Sequence, residues 1–212
     1  MDTSELIRTL TADTRRPATP LTTVWWGAAG LAITFAAVVF FVMLGPRPDI
    51  ATAAETLRFL FKFLVTITLA ASAFLCIRVL SRPGETWRKA IACLAVAPVF
   101  IVMAVVLELL ALPSDTWSAT IIGKNSMVCL TYISLIGLGP LAIFLRTLRY
   151  SAPTRPALAG AVAGLLAGGI AATFYAAQCT DDSPLFVATW YTIAITALAI
   201  LGAAGARQFA RW

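Results

Sequence analysis

Four cysteines are the most reactive side chains in this sequence, which contains no histidine. Histidine is the commonest general base and metal ligand, so Ser-His-Asp, Cys-His and H-E-x-x-H sites are excluded. The sequence also has neither a G-x-x-x-x-G-K-[ST] phosphate loop nor a G-x-G-x-x-G dinucleotide motif. We therefore expect a protein that is not an enzyme and that holds no resident cofactor.

The cysteines form two pairs in the sequence, each at one end of predicted hydrophobic segments. Cys76 and Cys93 flank the turn SRPGE at 81–85, whereas Cys129 begins one segment and Cys179 ends the next. Thiols that face an oxidising compartment at matching depth can form a disulfide or bind a thiophilic metal. They can also fill space as small hydrophobic side chains, and the sequence leaves these alternatives open for Cys129 and Cys179.

Two charged residues, Lys62 and Glu108, lie inside predicted hydrophobic segments. A charge in a membrane is costly unless it is paired or reaches the interface. Opposite signs at a similar depth on sequential helices suggest an ion pair between them, and snorkelling of each side chain to the interface is an equal alternative. A coupling-ion site would instead indicate a small six-helix transporter or channel.

Composition and periodicity predict the elements that carry these residues. With 60% hydrophobic residues, 12% charged residues and a mean hydropathy of +0.88, the chain is typical of an all-α integral membrane protein. Its apolar stretches predict a bundle of six transmembrane helices in a domain spanning 24–206, at about 24–44, 58–80, 89–112, 126–146, 157–178 and 185–206. A short N-terminal segment, 1–23, and a tail, 207–212, flank this domain.

The distribution of basic residues predicts the orientation of the bundle. Of the 16 Lys and Arg residues, only Arg47, Arg58, Lys62 and Lys124 fall on the side away from the termini. Because cytoplasmic loops are enriched in Lys and Arg, both termini are predicted to be cytoplasmic.

Small residues in the fifth predicted helix indicate close helix packing. Gly160, Gly164 and Gly168 recur at intervals of four and lie on one helix face. This face is expected to pack against another helix of the same chain, and a homodimer contact is the alternative.

The polar head of the chain, MDTSELIRTLTADTRRP, can form a helix of about ten residues with a small apolar stripe. Leu6, Ile7 and Leu10 make up the stripe, and Pro17 ends the helix. A helix this short is marginal alone in water. It is therefore interpreted as lying on the membrane surface, as disordered, or as docking its stripe in the groove of a partner protein.

The sequence resembles the NrsF family, the "negative regulator of sigma F" group of bacterial inner-membrane anti-sigma factors. The resemblance covers nearly the whole chain and is carried by ELIRTLTAD in the head, GPRPD after the first span, RF opening the second span, RPG closing it, and the final R-x-x-x-R-W. It implies a multi-pass inner-membrane inhibitor that sequesters an extracytoplasmic-function sigma factor, without contacting nucleic acid itself.

The resemblance also assigns residues. It implies that Glu5, Leu6, Ile7, Leu10 and Asp13 belong to the sigma-docking segment. The family carries a cysteine pair at the outer ends of its membrane helices that is associated with heavy-metal stress, and Cys129 and Cys179 match that placement. A transient thiophilic metal or an oxidant at this pair is then the expected signal for releasing the sigma factor.

Overall fold

A computed structural model describes residues 2–5, 7–8, 20–82, 87–151 and 153–209, and these residues contain helices and no strand. The predicted all-α fold with six membrane-length helices is confirmed. We number these six helices α1 to α6, with bounds Leu21–Met43, Leu57–Leu80, Ala90–Ala111, Ser126–Leu148, Pro156–Ala176 and Pro184–Gln208. Short helices, Ile50–Ala53 and Trp117–Ile122, lie in the connections after α1 and α3.

Hydroxyl side chains start two of the long helices. The Thr56 hydroxyl accepts a hydrogen bond from the Phe59 amide at the start of α2, and the Ser183 hydroxyl accepts one from the Leu185 amide at the start of α6. Such bonds satisfy amides that have no partner within the helix. The chain then enters α4 through Gly123, whose φ of +59° is readily adopted only by glycine.

Helix α5 is the centre of the bundle, because it packs against α2, α4 and α6. Its most apolar stretch is 67% buried, whereas that of α3 is 6% buried and lies at the edge of the bundle. A hydrophobic helix with so little contact to protein is suited to contact lipid.

The glycine face of α5 packs against α6 of the same chain. A Cβ atom added at Gly160 would overlap the carbonyl oxygen of Gly202, and one added at Gly164 would overlap that of Leu198. The absence of side chains thus lets the two backbones touch. Since α6 covers this face, the alternative of a homodimer contact through it is wrong.

Candidate functional site

A partly buried cluster of charges lies where the turn between α5 and α6 meets the end of α1 and the start of α2. We call Arg47, Asp49, Lys62 and Asp182 the charge cluster. The Asp182 carboxylate contacts the Lys62 ammonium group at 2.5 Å and the Arg47 guanidinium at 3.1 Å. The same guanidinium binds Asp49 through two hydrogen bonds of 2.6 and 2.7 Å. Lys62 is completely buried, so the cluster replaces the water that its charge would otherwise need.

The two cations also bind the backbone just after the end of α5. Lys62 donates a 2.8 Å hydrogen bond to the carbonyl oxygen of Cys179, and Arg47 donates a longer one, of 3.4 Å, to the same atom. The Cys179 carbonyl lies in non-helical backbone and is buried, so it needs a hydrogen-bond partner, which these two cations supply. The ring of Phe59 lies 5.2 Å from the Lys62 ammonium group and adds a cation–π contact.

Hydrogen bonds shift the pKa values of the two members of the charge cluster that lie outside the membrane-length helices. The Asp49 carboxylate raises the pKa of Arg47 above its usual range, since the bonds favour the charged guanidinium. Conversely, Arg47 lowers the pKa of Asp49 below its ordinary value. Both groups therefore stay ionised over the physiological range of pH.

The predicted ion pair between Lys62 and Glu108 is wrong. Lys62 pairs with Asp182, whereas Glu108 contacts Arg58 at 3.4 Å and accepts hydrogen bonds from the Ser183 hydroxyl, at 2.7 Å, and the Leu185 amide, at 3.0 Å. A carboxylate is favoured beside the unpartnered amides at the start of α6, which draws Glu108 to that position.

Asp181, the neighbour of Asp182, binds a different part of the molecule. Its carboxylate accepts hydrogen bonds from the backbone amides of Lys124, at 3.0 Å, and Asn125, at 2.9 Å, just before α4 begins. The Asn125 side chain donates a further bond of 3.0 Å to the same oxygen. The turn at 180–183 thus ties the charge cluster, α3, α4 and α6 together.

Cys129 and Cys179 lie beside this turn, and both are buried, at 0% and 2% exposure. Their thiols are near enough to interact electrostatically, and none of the described cysteines forms a disulfide. The Cys179 thiol approaches the backbone oxygen of Asp181 at 3.7 Å, and burial raises its pKa. The structure therefore keeps this thiol protonated, which makes it a poor nucleophile and metal ligand until it is exposed.

A metal would need ligands besides the two thiols. Within the described ranges, no group of three or more Cys, Asp or Glu side chains is placed to hold an ion. Two thiolates fill half of a tetrahedral shell. The other cysteines are separate from this pair: Cys76 is buried and Cys93 is exposed.

The predicted docking segment is partly described. Residues 3–5 and 7–8 are helical, Glu5 is exposed, and Ile7 is 58% exposed. Leu6, Leu10 and Asp13 lie outside the described residues. An exposed isoleucine beside a carboxylate is compatible with a docking peptide that is complete only with its partner.

Sequence reasoning missed three residues that organise this site: Arg47, Asp181 and Asp182. A signal for them was present, because Arg47 stands between two prolines in GPRPD and the adjacent carboxylates of DDSP lie on the same predicted side. The sequence does not show which of these charges become neighbours.

A helical bundle with six membrane-length spans and a partly buried charge cluster at one end defines a multi-pass membrane protein, and comparison with known proteins assigns its family. The family described as "Negative regulator of sigma F" matches residues 10–212, so the chain belongs to that family, as the sequence motifs predicted. The chain is 33% identical to "Anti-sigma-F factor NrsF" of Caulobacter vibrioides (strain NA1000 / CB15N), over 100% of both chains. It is 31% identical to "Probable anti-sigma-F factor NrsF" of Azospira oryzae (strain ATCC BAA-33 / DSM 13638 / PS), over 89% of this chain and 86% of the relative. No solved structure matches the chain.

Proposed function

We propose that this protein is an anti-sigma factor that holds an extracytoplasmic-function sigma factor at the bacterial inner membrane. The observation that carries the proposal is the 33% identity, over the full length of both chains, to a protein named an anti-sigma-F factor. The protein works by binding rather than by catalysis, and it acts on transcription without contacting nucleic acid. Its membrane helices contact the lipid bilayer and keep the bound sigma factor away from RNA polymerase.

The N-terminal segment supplies the docking surface. Leu6, Ile7 and Leu10 enter an apolar groove of the sigma factor, while Glu5 and Asp13 contact basic residues at its rim. The exposure of Ile7 supports this role, because an apolar side chain in water gains free energy when a partner covers it.

Release begins at Cys129 and Cys179, when a thiophilic metal or a thiol-reactive compound engages the pair. The carbonyl group of Cys179 accepts hydrogen bonds from both Lys62 and Arg47, so a movement of this residue disturbs the charge cluster. Arg47 lies four residues after the end of α1, and the docking segment precedes the start of α1 in the chain. The modified state must have a lower affinity for the sigma factor, since only such a difference shifts the equilibrium towards release.

A small transporter or channel was the alternative function that the sequence suggested, and we do not propose it. Its case depended on Lys62 and Glu108, and each of these residues is held by a partner beside the turn at 180–183. Both side chains support the structure there and need no transported ion to balance them.

Purification of the intact protein in mild detergent from its own cells tests the docking segment. The wild type is compared with Leu6→Asp/Leu10→Asp, which adds two charges within the apolar stripe, and with Ser4→Asp/Ala12→Asp, which adds two charges away from it at helical spacing. We expect a sigma factor to co-purify with the wild type and the control but not with the stripe variant. Equal recovery with all three proteins would refute docking through the stripe.

Cysteine substitution tests the sensing step separately. In Cys129→Ser/Cys179→Ser, the sigma factor should still be retained, but addition of cadmium or diamide should no longer release it. The matched control is Cys76→Ser/Cys93→Ser, which should release as the wild type does. Normal release from the Cys129→Ser/Cys179→Ser protein would exclude this pair as the sensor.

A further inference from the structure

A second site lies at the opposite end of α1 and α2 from the charge cluster. Both helices pack against α5, which forms the floor of an apolar groove between them. The groove has a volume of about 390 Å³, which falls within the range of about 300–1,000 Å³ that is usual for ligand sites. The residues of α2 that line the groove recur at helical spacing and are Ile67, Ala70, Ala71 and Phe74.

Small side chains keep this groove open. Ala70 and Ala71 on α2 face Ala29 on α1 across the opening, while Gly169 lets α5 approach the backbone of Ala70. An apolar groove of this shape, open towards the bilayer, accepts a hydrocarbon chain without burying any polar group.

Aromatic and basic side chains mark one end of the groove. The rings of Trp26 and Phe74 meet across α1 and α2 with their centroids 4.8 Å apart. The guanidinium of Arg78 lies 5.8 Å from the Trp26 ring and 5.7 Å from the Phe74 ring. Tryptophan and arginine together are typical of the level at which lipid headgroups meet the hydrocarbon region.

Arg78 is available for an anionic ligand. It has no carboxylate partner among the described residues, and its contacts are with the two aromatic rings. One turn further on, Arg82 donates a 3.0 Å hydrogen bond to the Thr22 hydroxyl near the start of α1. The remaining N–H groups of Arg82 can donate to a second acceptor, because a guanidinium carries five.

We propose that this groove binds one anionic phospholipid, whose acyl chain lies between α1 and α2 and whose phosphate is held by Arg78 and Arg82. Guanidinium groups match the geometry of phosphate oxygens, and basic pockets between membrane helices on the cytoplasmic side bind anionic headgroups. The groove supplies the apolar contact and the arginines supply the preference for negative charge. The bound lipid bridges α1 and α2 near the start of α1.

Native mass spectrometry of the delipidated full-length protein tests this site. Phosphatidylglycerol and phosphatidylcholine with identical chains are titrated separately against the wild type. We expect one phosphatidylglycerol to bind more tightly than phosphatidylcholine, and Arg78→Gln/Arg82→Gln to weaken it by about tenfold. The control Arg146→Gln/Arg149→Gln removes the same charge from exposed positions on the same side of the bundle and should bind as the wild type does. Equal binding of phosphatidylglycerol by the two variants would overturn the proposal.

A variant in the groove tests the proposed binding of the acyl chain without changing the charge of the site. Ala71→Phe fills the groove from an exposed position, whereas Leu64→Phe adds a ring to an exposed position of α2 outside it. Only Ala71→Phe should reduce binding of phosphatidylglycerol, and unchanged binding would refute the groove as its site. Inorganic phosphate at the lipid concentration should not compete; displacement by it would show a simple anion site instead.

Discussion

Replacing Asp182 by asparagine is expected to destabilise the protein far more than the same change at Asp49. Both carboxylates bind Arg47, but only Asp182 also contacts the fully buried Lys62. Asp182→Asn therefore leaves a buried ammonium group with the Cys179 carbonyl and the Phe59 ring as its remaining partners. Asp49→Asn removes only the contact with Arg47, in which the Asp49 side chain is 54% exposed.

The burial of each group sets the size of the effect. Removing one partner of a buried ion pair costs about 3–5 kcal/mol, since the other charge is left without compensation. The Asp182 side chain is 22% exposed and Lys62 keeps its carbonyl partner, so we expect about 3 kcal/mol for Asp182→Asn. For Asp49→Asn we expect about 0.2–1 kcal/mol, which is typical of exposed pairs.

Reversible unfolding by SDS in mixed micelles, followed by circular dichroism, measures both free energies of unfolding. A third variant, Asp182→Asn/Lys62→Met, removes the unpaired charge and should regain about 1–2 kcal/mol over Asp182→Asn alone. If Asp182→Asn were no more destabilising than Asp49→Asn, the charge cluster would not hold the end of the bundle together. The reasoning would also be refuted if adding Lys62→Met to Asp182→Asn restored none of the lost free energy of unfolding.

Two further predictions concern the glycine face and the buried thiols. Gly160→Ala should destabilise the protein by about 1–3 kcal/mol in the same assay, because its Cβ atom meets the carbonyl oxygen of Gly202. The control Gly27→Ala, at a position with no atom within 4 Å of the new Cβ, should cost nothing, and equal losses would contradict close packing there. In the folded protein, iodoacetamide should modify the exposed Cys93 well before Cys179, as mass spectrometry of the peptides can determine. Because burial raises the pKa of Cys179, the rate of its slow labelling should still be increasing with pH above the ordinary pKa of a cysteine thiol; labelling of Cys179 as fast as that of Cys93 would show that Cys179 is not shielded.

The sequence by itself determined the number of membrane helices and the family. Both depend on local properties: a stretch of about 20 apolar residues can cross a bilayer whatever its neighbours are, and short motifs keep their order along the chain. The spacing of Gly160, Gly164 and Gly168 likewise predicted one close-packing face, because helical periodicity places them together. The placement of Cys129 and Cys179 at the same end of the bundle followed from the order of the helices.

Only the tertiary structure decided which charges meet and where the bundle is open. Lys62 and Glu108 lie at a similar predicted depth, yet Lys62 binds Asp182 and Glu108 lies beside Ser183 at the start of α6. Depth along a helix can be read from a sequence, but the direction in which a side chain points relative to other helices depends on how the whole bundle packs. The same packing leaves a groove beside Arg78, because α1 and α2 both rest on α5 without filling the space between them.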